Sequence, residues 1–211
     1  VANQTHSAIT DPDIHEPKGV STAAKGRSYQ ADGSGSGVWT RPLILITSAS
    51  TASVSSFDVT GLSGYRELIV VIEQARTQAK DLKLRLYSTS AAAWRTSGYL
   101  NGYLSTSADL DESGTLVSGM YLGSGNNDNR DYLTSVTRLT NFNNSSEKTI
   151  GLTYAVSTQY PMTTNGTISS NTKGQSTTSI YNTAEAHEGI RILTDGTVIS
   201  NLYYTIWGIK T

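Results

Sequence analysis

From Leu43 onward the apolar residues come in short runs separated by Gly, Asn, Asp and Ser clusters. Leu43-Ile44-Leu45-Ile46 is the first run. Val54 to Thr60 follows, then a turn at Gly61-Leu62-Ser63-Gly64. Tyr65 to Glu73 contains Leu68-Ile69-Val70-Val71-Ile72, apolar on both faces, which predicts a central strand. Leu82, Leu84 and Leu86 alternate with Lys83, Arg85 and Tyr87, a period of two with one wet face. Further runs are Thr115 to Leu122, Tyr132 to Thr140, Thr149 to Val156, Ser176 to Tyr181, Ile190 to Leu193, and Ile199 to Ile209. Turn-forming clusters such as Gly123 to Asn129 and Asn141 to Ser146 divide them. Roughly ten short strands at this spacing predict an all-β chain, an antiparallel β-sandwich or jelly roll and not a parallel sheet. Helix signals are scarce: Gln74 to Asp81 and Ser90 to Trp94 are short, and both also read as loops. No internal repeat is evident, which argues against propellers and solenoids.

The first forty residues differ from the rest. Pro12 and Pro17 lie there, a Gly/Ser tract runs from Asp32 to Gly37, and no apolar period is sustained between Val1 and Val38. Such a stretch builds no core of its own and becomes ordered by lying on something else. The boundary falls between Trp39 and Leu43, so the expected organisation is an extended N-terminal arm, 1–40, and a sandwich domain, 41–211.

Composition sharpens this picture. Only 36% of the 211 residues are hydrophobic, and 57 Ser and Thr stand in their place. Twelve Tyr and three Trp, with the Val/Ile/Leu runs, are enough to bury a core and argue against disorder. Charged residues are 16% and the net charge is −1, which offers no electrostatic footprint for nucleic acid or anionic lipid. No run approaches the roughly 18 apolar residues of a membrane helix. Cysteine is absent, which removes disulfides, thiolate zinc sites and cysteine nucleophiles together. Val1 to Thr10 lacks the basic and apolar regions of a secretory signal, so synthesis in a cytoplasm is expected.

Candidate chemistry is thin. Asp11, Asp13 and His15 alternate along an extended chain, with Glu16 next to them, as metal ligands can, but a solvated polar arm fits the same residues, and no metal or other cofactor is expected. The Gly/Ser tract fails as a nucleophile elbow, because neither Ser34 nor Ser36 has glycine both two before and two after. The Asn126 to Asp131 segment fails as an EF-hand loop: counted from Asn127, Tyr132 and Arg138 fill the required Gly and Glu places. Lys18-Gly19 and Lys173-Gly174 reverse the order of a phosphate loop. Trp94, Tyr99 and Tyr103 cluster in a Gly/Ser-rich region and suit stacking on sugar rings, although tyrosine also simply covers half-exposed β surface. An enzyme is not expected.

Two stretches resemble a known family. Asp13-Ile14-His15-Glu16-Pro17-Lys18-Gly19-Val20, continued to Ala24 and closed by Tyr29 to Trp39, resembles an N-terminal motif of tailed-bacteriophage virion structural proteins. Gly189 to Ile192 and Tyr204-Thr205-Ile206-Trp207-Gly208-Ile209-Lys210 are similar to the closing strands of phage jelly-roll domains, and Phe57 to Leu68 to an early strand pair. The matches cover about a third of the chain. The resemblance implies a virion protein, assembled in the host cytoplasm as a homotrimer, whose arm binds the major capsid protein or another virion protein. The chain carries no long fibre repeat, which favours a capsid decoration (cement) protein or head fibre. Expected anchors are Ile14, His15, Glu16, Pro17, Lys18, Gly19, Val20 and Trp39. The alternative is a tail-associated receptor-binding protein that uses Trp94, Tyr99 and Tyr103 on host surface glycan.

Overall fold

A computed structural model of the chain describes residues 28–31, 37–40, 43–77, 81–105, 110–123, 132–158 and 173–210. Among the described residues the regular structure is all β, and no helix occurs. Backbone contacts divide the chain into two units, Val1–Leu43 and Ile44–Thr211.

In the first unit, β1 (Ser28–Ala31) pairs antiparallel with β2 (Gly37–Thr40), and Tyr29 stands opposite Trp39. A ladder inside the expected arm was not legible, since these strands carry almost no apolar alternation.

The second unit is an antiparallel β-sandwich. Its strands are β3 (Leu43–Thr51), β4 (Ser56–Thr60), β5 (Tyr65–Thr77), β6 (Leu82–Ser88), β7 (Ala93–Trp94) and β8 (Tyr99–Ser105). They continue as β9 (Leu110–Val117), β10 (Met120–Gly123), β11 (Tyr132–Thr140), β12 (Lys148–Thr158), β13 (Lys173–Ala184), β14 (His187–Thr194) and β15 (Ile199–Lys210). One sheet runs β10-β6-β14-β4, with β7 also on β6; the other runs β3-β15-β5-β11-β12-β13-β8-β9.

The period-two residues fill the space between the sheets. Leu82, Leu84 and Leu86 of β6 are fully buried while Lys83, Arg85 and Tyr87 are not, as their alternation requires. They meet Ile190 and Ile192 of β14, Met120 and Leu122 of β10, and Leu68, Val70 and Ile72 of β5, with Leu202 and Ile206 of β15. β5 is central, as its two apolar faces predict, with Ile69 and Val71 half-buried on the outer one. The helix signal at Gln74 to Asp81 is overridden: β5 continues through Thr77, with Leu202 opposite Ala75. Ser90 to Trp94 is a turn leading into β7.

The closing motif Trp207-Gly208-Ile209-Lys210 has a packing reason. A Cβ at Gly208 would collide with the Tyr65 ring and with Ile46, and the Lys210 ammonium stands 5.6 Å over that same ring. Only glycine leaves room for the aromatic ring to cross there.

Candidate functional site

The densest polar cluster of the sandwich sits where the β13–β14 corner meets the end of β6. Glu185, between those strands, is 6% exposed. Its carboxylate accepts from the Ser88 hydroxyl at 2.6 Å and from Arg95 Nε at 2.6 Å, and a second Arg95 nitrogen closes a bidentate pair. Burial pushes the Glu185 carboxyl up, but hydrogen bonds from Arg95, Ser88 and Tyr181 outweigh it and hold it at about 2. Tyr99 is fully buried beneath the cluster: its hydroxyl accepts from the Leu86 N–H at 2.9 Å and donates to the Arg95 carbonyl at 3.1 Å.

His187 lies beside this lock, fully buried, with the Tyr181 ring edge-on at 5.4 Å and Phe142 at 5.9 Å. Neither ring nitrogen makes a well-formed hydrogen bond, although the nearby Tyr87 backbone and Glu185 charge favour a proton. Burial wins and pulls the imidazole down to about 4. A serine, a histidine and a carboxylate are therefore neighbours, but not in relay order. The Ser88 hydroxyl donates to Glu185 and not to His187, and the carboxylate is already neutralised by Arg95. The arrangement ties the β13–β14 corner to the end of β6 and to the segment after β7. Chain separations of 90 to 97 residues left no local signal for it.

The aromatic candidates do not converge. Tyr99 has no exposed surface, which corrects its expected role in stacking on sugar. Trp94 is half-buried on the smaller sheet, with the Arg191 guanidinium 4.5 Å over its ring and Tyr87 edge-on at 5.1 Å. Arg191 is fixed in turn by Asp58 at 2.6 and 2.7 Å. Tyr103 lies on β8 in the larger sheet, where its backbone partners Thr177 and Asp111. The anchors Ile14, His15, Glu16, Pro17, Lys18, Gly19 and Val20, and the acidic residues Asp11 and Asp13, lie outside the described residues; Trp39 is on β2.

A third feature is a strand with inverted polarity, β12, in the middle of a sheet face. On β12 the inward positions Gly151, Thr153 and Ala155 are small or hydroxylated, and so are Ser135, Thr137, Thr177 and Ser179 on its neighbours, while Leu133, Leu139 and Tyr181 are the large residues that β11 and β13 bury. Bulk on the inner side of β12 is limited by β10, which passes close: a Cβ at Gly151 would stand 3.1 Å from the Met120 sulfur. The outward positions of β12 carry its large residues. Val136, Ile150, Leu152, Tyr154 and Val156 are 38 to 59% exposed. Hydrophobicity alone would aim these side chains inward. Compared with family models, curated proteins and solved structures, the chain finds no match.

Proposed function

We propose that this chain is a non-enzymatic virion protein of a tailed bacteriophage, a capsid decoration protein or head fibre, whose arm attaches it to the shell and whose sandwich is a jelly roll. The strand pairing is the observation that carries the reading furthest. With β7–β9 and β12–β13 set aside as insertions, eight strands remain, and they pair first with last. β3 neighbours β15, β4 pairs β14, β5 pairs β11, and β6 pairs β10. That is one long two-stranded ribbon. Its wrapping is sealed by β15 on β5 and β14 on β6, which distributes the ribbon over two sheets. A ribbon rolled in this way resembles the double-sheet arrangement of jelly rolls in capsid and lectin domains and supports that reading. Fold does not carry function by itself, so the virion role rests on the arm resemblance joined to this topology.

The division of the chain at Leu43/Ile44 supports a separate attachment segment. The glycan-binding alternative is weakened by Tyr99, which is inside, and by Trp94, whose ring is covered by Arg191. Gold-labelled antibody against the chain, applied to purified particles, tests the proposal. Label over the heads supports a decoration protein or head fibre. Label confined to tail tips would replace it with the receptor-binding alternative.

A further inference from the structure

We infer that the outer face of β11, β12 and β13 is the surface through which copies of this chain associate. The inference stands on the sandwich alone and does not need the virion reading. Cross-strand register arranges the outward residues in four rows: Thr134–Val156–Gly174, Val136–Tyr154–Ser176, Arg138–Leu152–Thr178 and Thr140–Ile150–Ile180. On the β5 side the middle rows continue into Val71 and Ile69, both half-buried. An antiparallel sheet with one face on the core ordinarily turns polar residues to water on the other. On β12 that order is reversed, and its Ile150, Leu152, Tyr154 and Val156, with Val136 of β11 beside them, lack a cover among the described residues.

Shape and charge select the occupant. Tyr154 projects as a knob, 59% exposed. Tyr154 also forms one wall of a depression of about 410 Å³, where Gly174 supplies no side chain opposite Val156 and where Thr134, Val136, Val156 and Gln175 complete the lining. Knob and hole thus adjoin on one face, so the same surface on another copy presents the matching pair. A rotation axis beside them seats each Tyr154 in a neighbouring copy's depression. The patch is also electrically quiet. Its Arg138 is bonded to Glu67 at 2.6 Å on the same face, so two copies meet without like-charge repulsion, and a strongly charged partner finds nothing complementary.

The area is of the right order. With an aromatic side chain burying about 150–250 Å² in full, the five exposed residues offer on the order of 400 Å² of apolar surface. Half-buried Ile69, Val71 and Ile180 extend it toward the roughly 800 Å² per partner of a standard interface.

The test uses the full chain. Light scattering across nanomolar to tens-of-micromolar concentrations should show assembly from 22.6 kDa to a multiple of that mass. Tyr154→Glu should return the protein to single-chain mass while its far-UV circular dichroism stays that of a β protein. The chain has no cysteine, so Val156→Cys supplies one probe thiol and Ala91→Cys, on an exposed turn, a control. The Val156→Cys thiol should react with a maleimide an order of magnitude more slowly in the assembled form, and the Ala91→Cys thiol equally fast in both. A wild-type chain that stays at single-chain mass overturns the inference, and a Val156→Cys thiol then protected at every concentration would identify a cover from within the chain. So does an assembly that Tyr154→Glu leaves intact and in which the Val156→Cys thiol reacts freely.

Discussion

Glu185 and His187 stand two positions apart and answer acid differently. The imidazole is pulled from an ordinary value near 6.5 down to about 4 because burial disfavours its charged form. The unfolded chain therefore binds a proton that the folded chain refuses. This contribution is present in full above pH 6.5 and is lost as pH falls through the interval to about 4, at up to about 1.4 kcal/mol per pH unit. Glu185, held at about 2 against 4.5, adds a second loss only below pH 4.5. Urea unfolding of His187→Phe should show a flatter dependence between pH 6.5 and about 4 than wild type, with the slopes converging below that. A wild-type slope retained in the variant would show that another group carries it. Arg95→Met leaves the Glu185 carboxylate enclosed without its cation. With Arg95 itself 31% exposed, the expected loss is about 2–3 kcal/mol, below the range for fully buried pairs. The same unfolding midpoint measures it. None of these three residues advertised its role, because each is defined by a neighbour that is distant in sequence.

At the scale of elements, Gly208 and Tyr65 offer a direct check on how β15 and the start of β5 are packed. Gly208→Ala places a methyl group against the Tyr65 ring, an overpacking cost of about 1–3 kcal/mol. Combining it with Tyr65→Ala should cost less than the sum of the single changes, since the shared clash is removed. Strict additivity in chemical denaturation would place the strain elsewhere. The buried hydroxyls make a similar test. Thr137 and Thr153 bond to each other at 2.8 Å, so Thr153→Val alone strands one hydroxyl at about 1–2 kcal/mol, whereas the double change to valine should be nearly neutral. Elements with clean alternation were legible: β6 shows the inward leucines its spacing predicts, and β11 and β15 fall close to their predicted spans. The run Thr115 to Leu122 was harder. It is interrupted at Ser118-Gly119, which separates β9 from β10 and sends them to different sheets. The direction of β12 was also hidden. Ile150, Leu152, Tyr154 and Val156 outweigh Gly151, Thr153 and Ala155 in hydrophobicity, yet proximity of β10 leaves space inside only for the smaller set.

At the scale of the whole molecule, an antiparallel β-sandwich follows an N-terminal segment with little apolar material of its own. Among the described residues, the buried cluster of the sandwich is built between Leu62 and Ile206, with Ile46, Val54, Phe57 and Val59 packed against it. Its stability should therefore survive loss of residues 1–40, while attachment should not. Prolines and glycines make the arm costly to order in isolation, and a partner that supplies the missing contacts offsets that cost. Several arms on one assembly would bind together, so a modest affinity per arm still gives durable attachment. The alternation of strands made the all-β sandwich readable in the sequence. The pairing of first strand with last was not, because register between distant strands leaves no trace in local periodicity. The most direct measurement compares full-length chain and the 1–40 deletion for addition to heads purified without this protein. The account predicts that both fold to the same β spectrum and that only the full-length chain decorates the shell; a full-length chain that ignores the heads, or a truncated one that decorates them equally well, would contradict it.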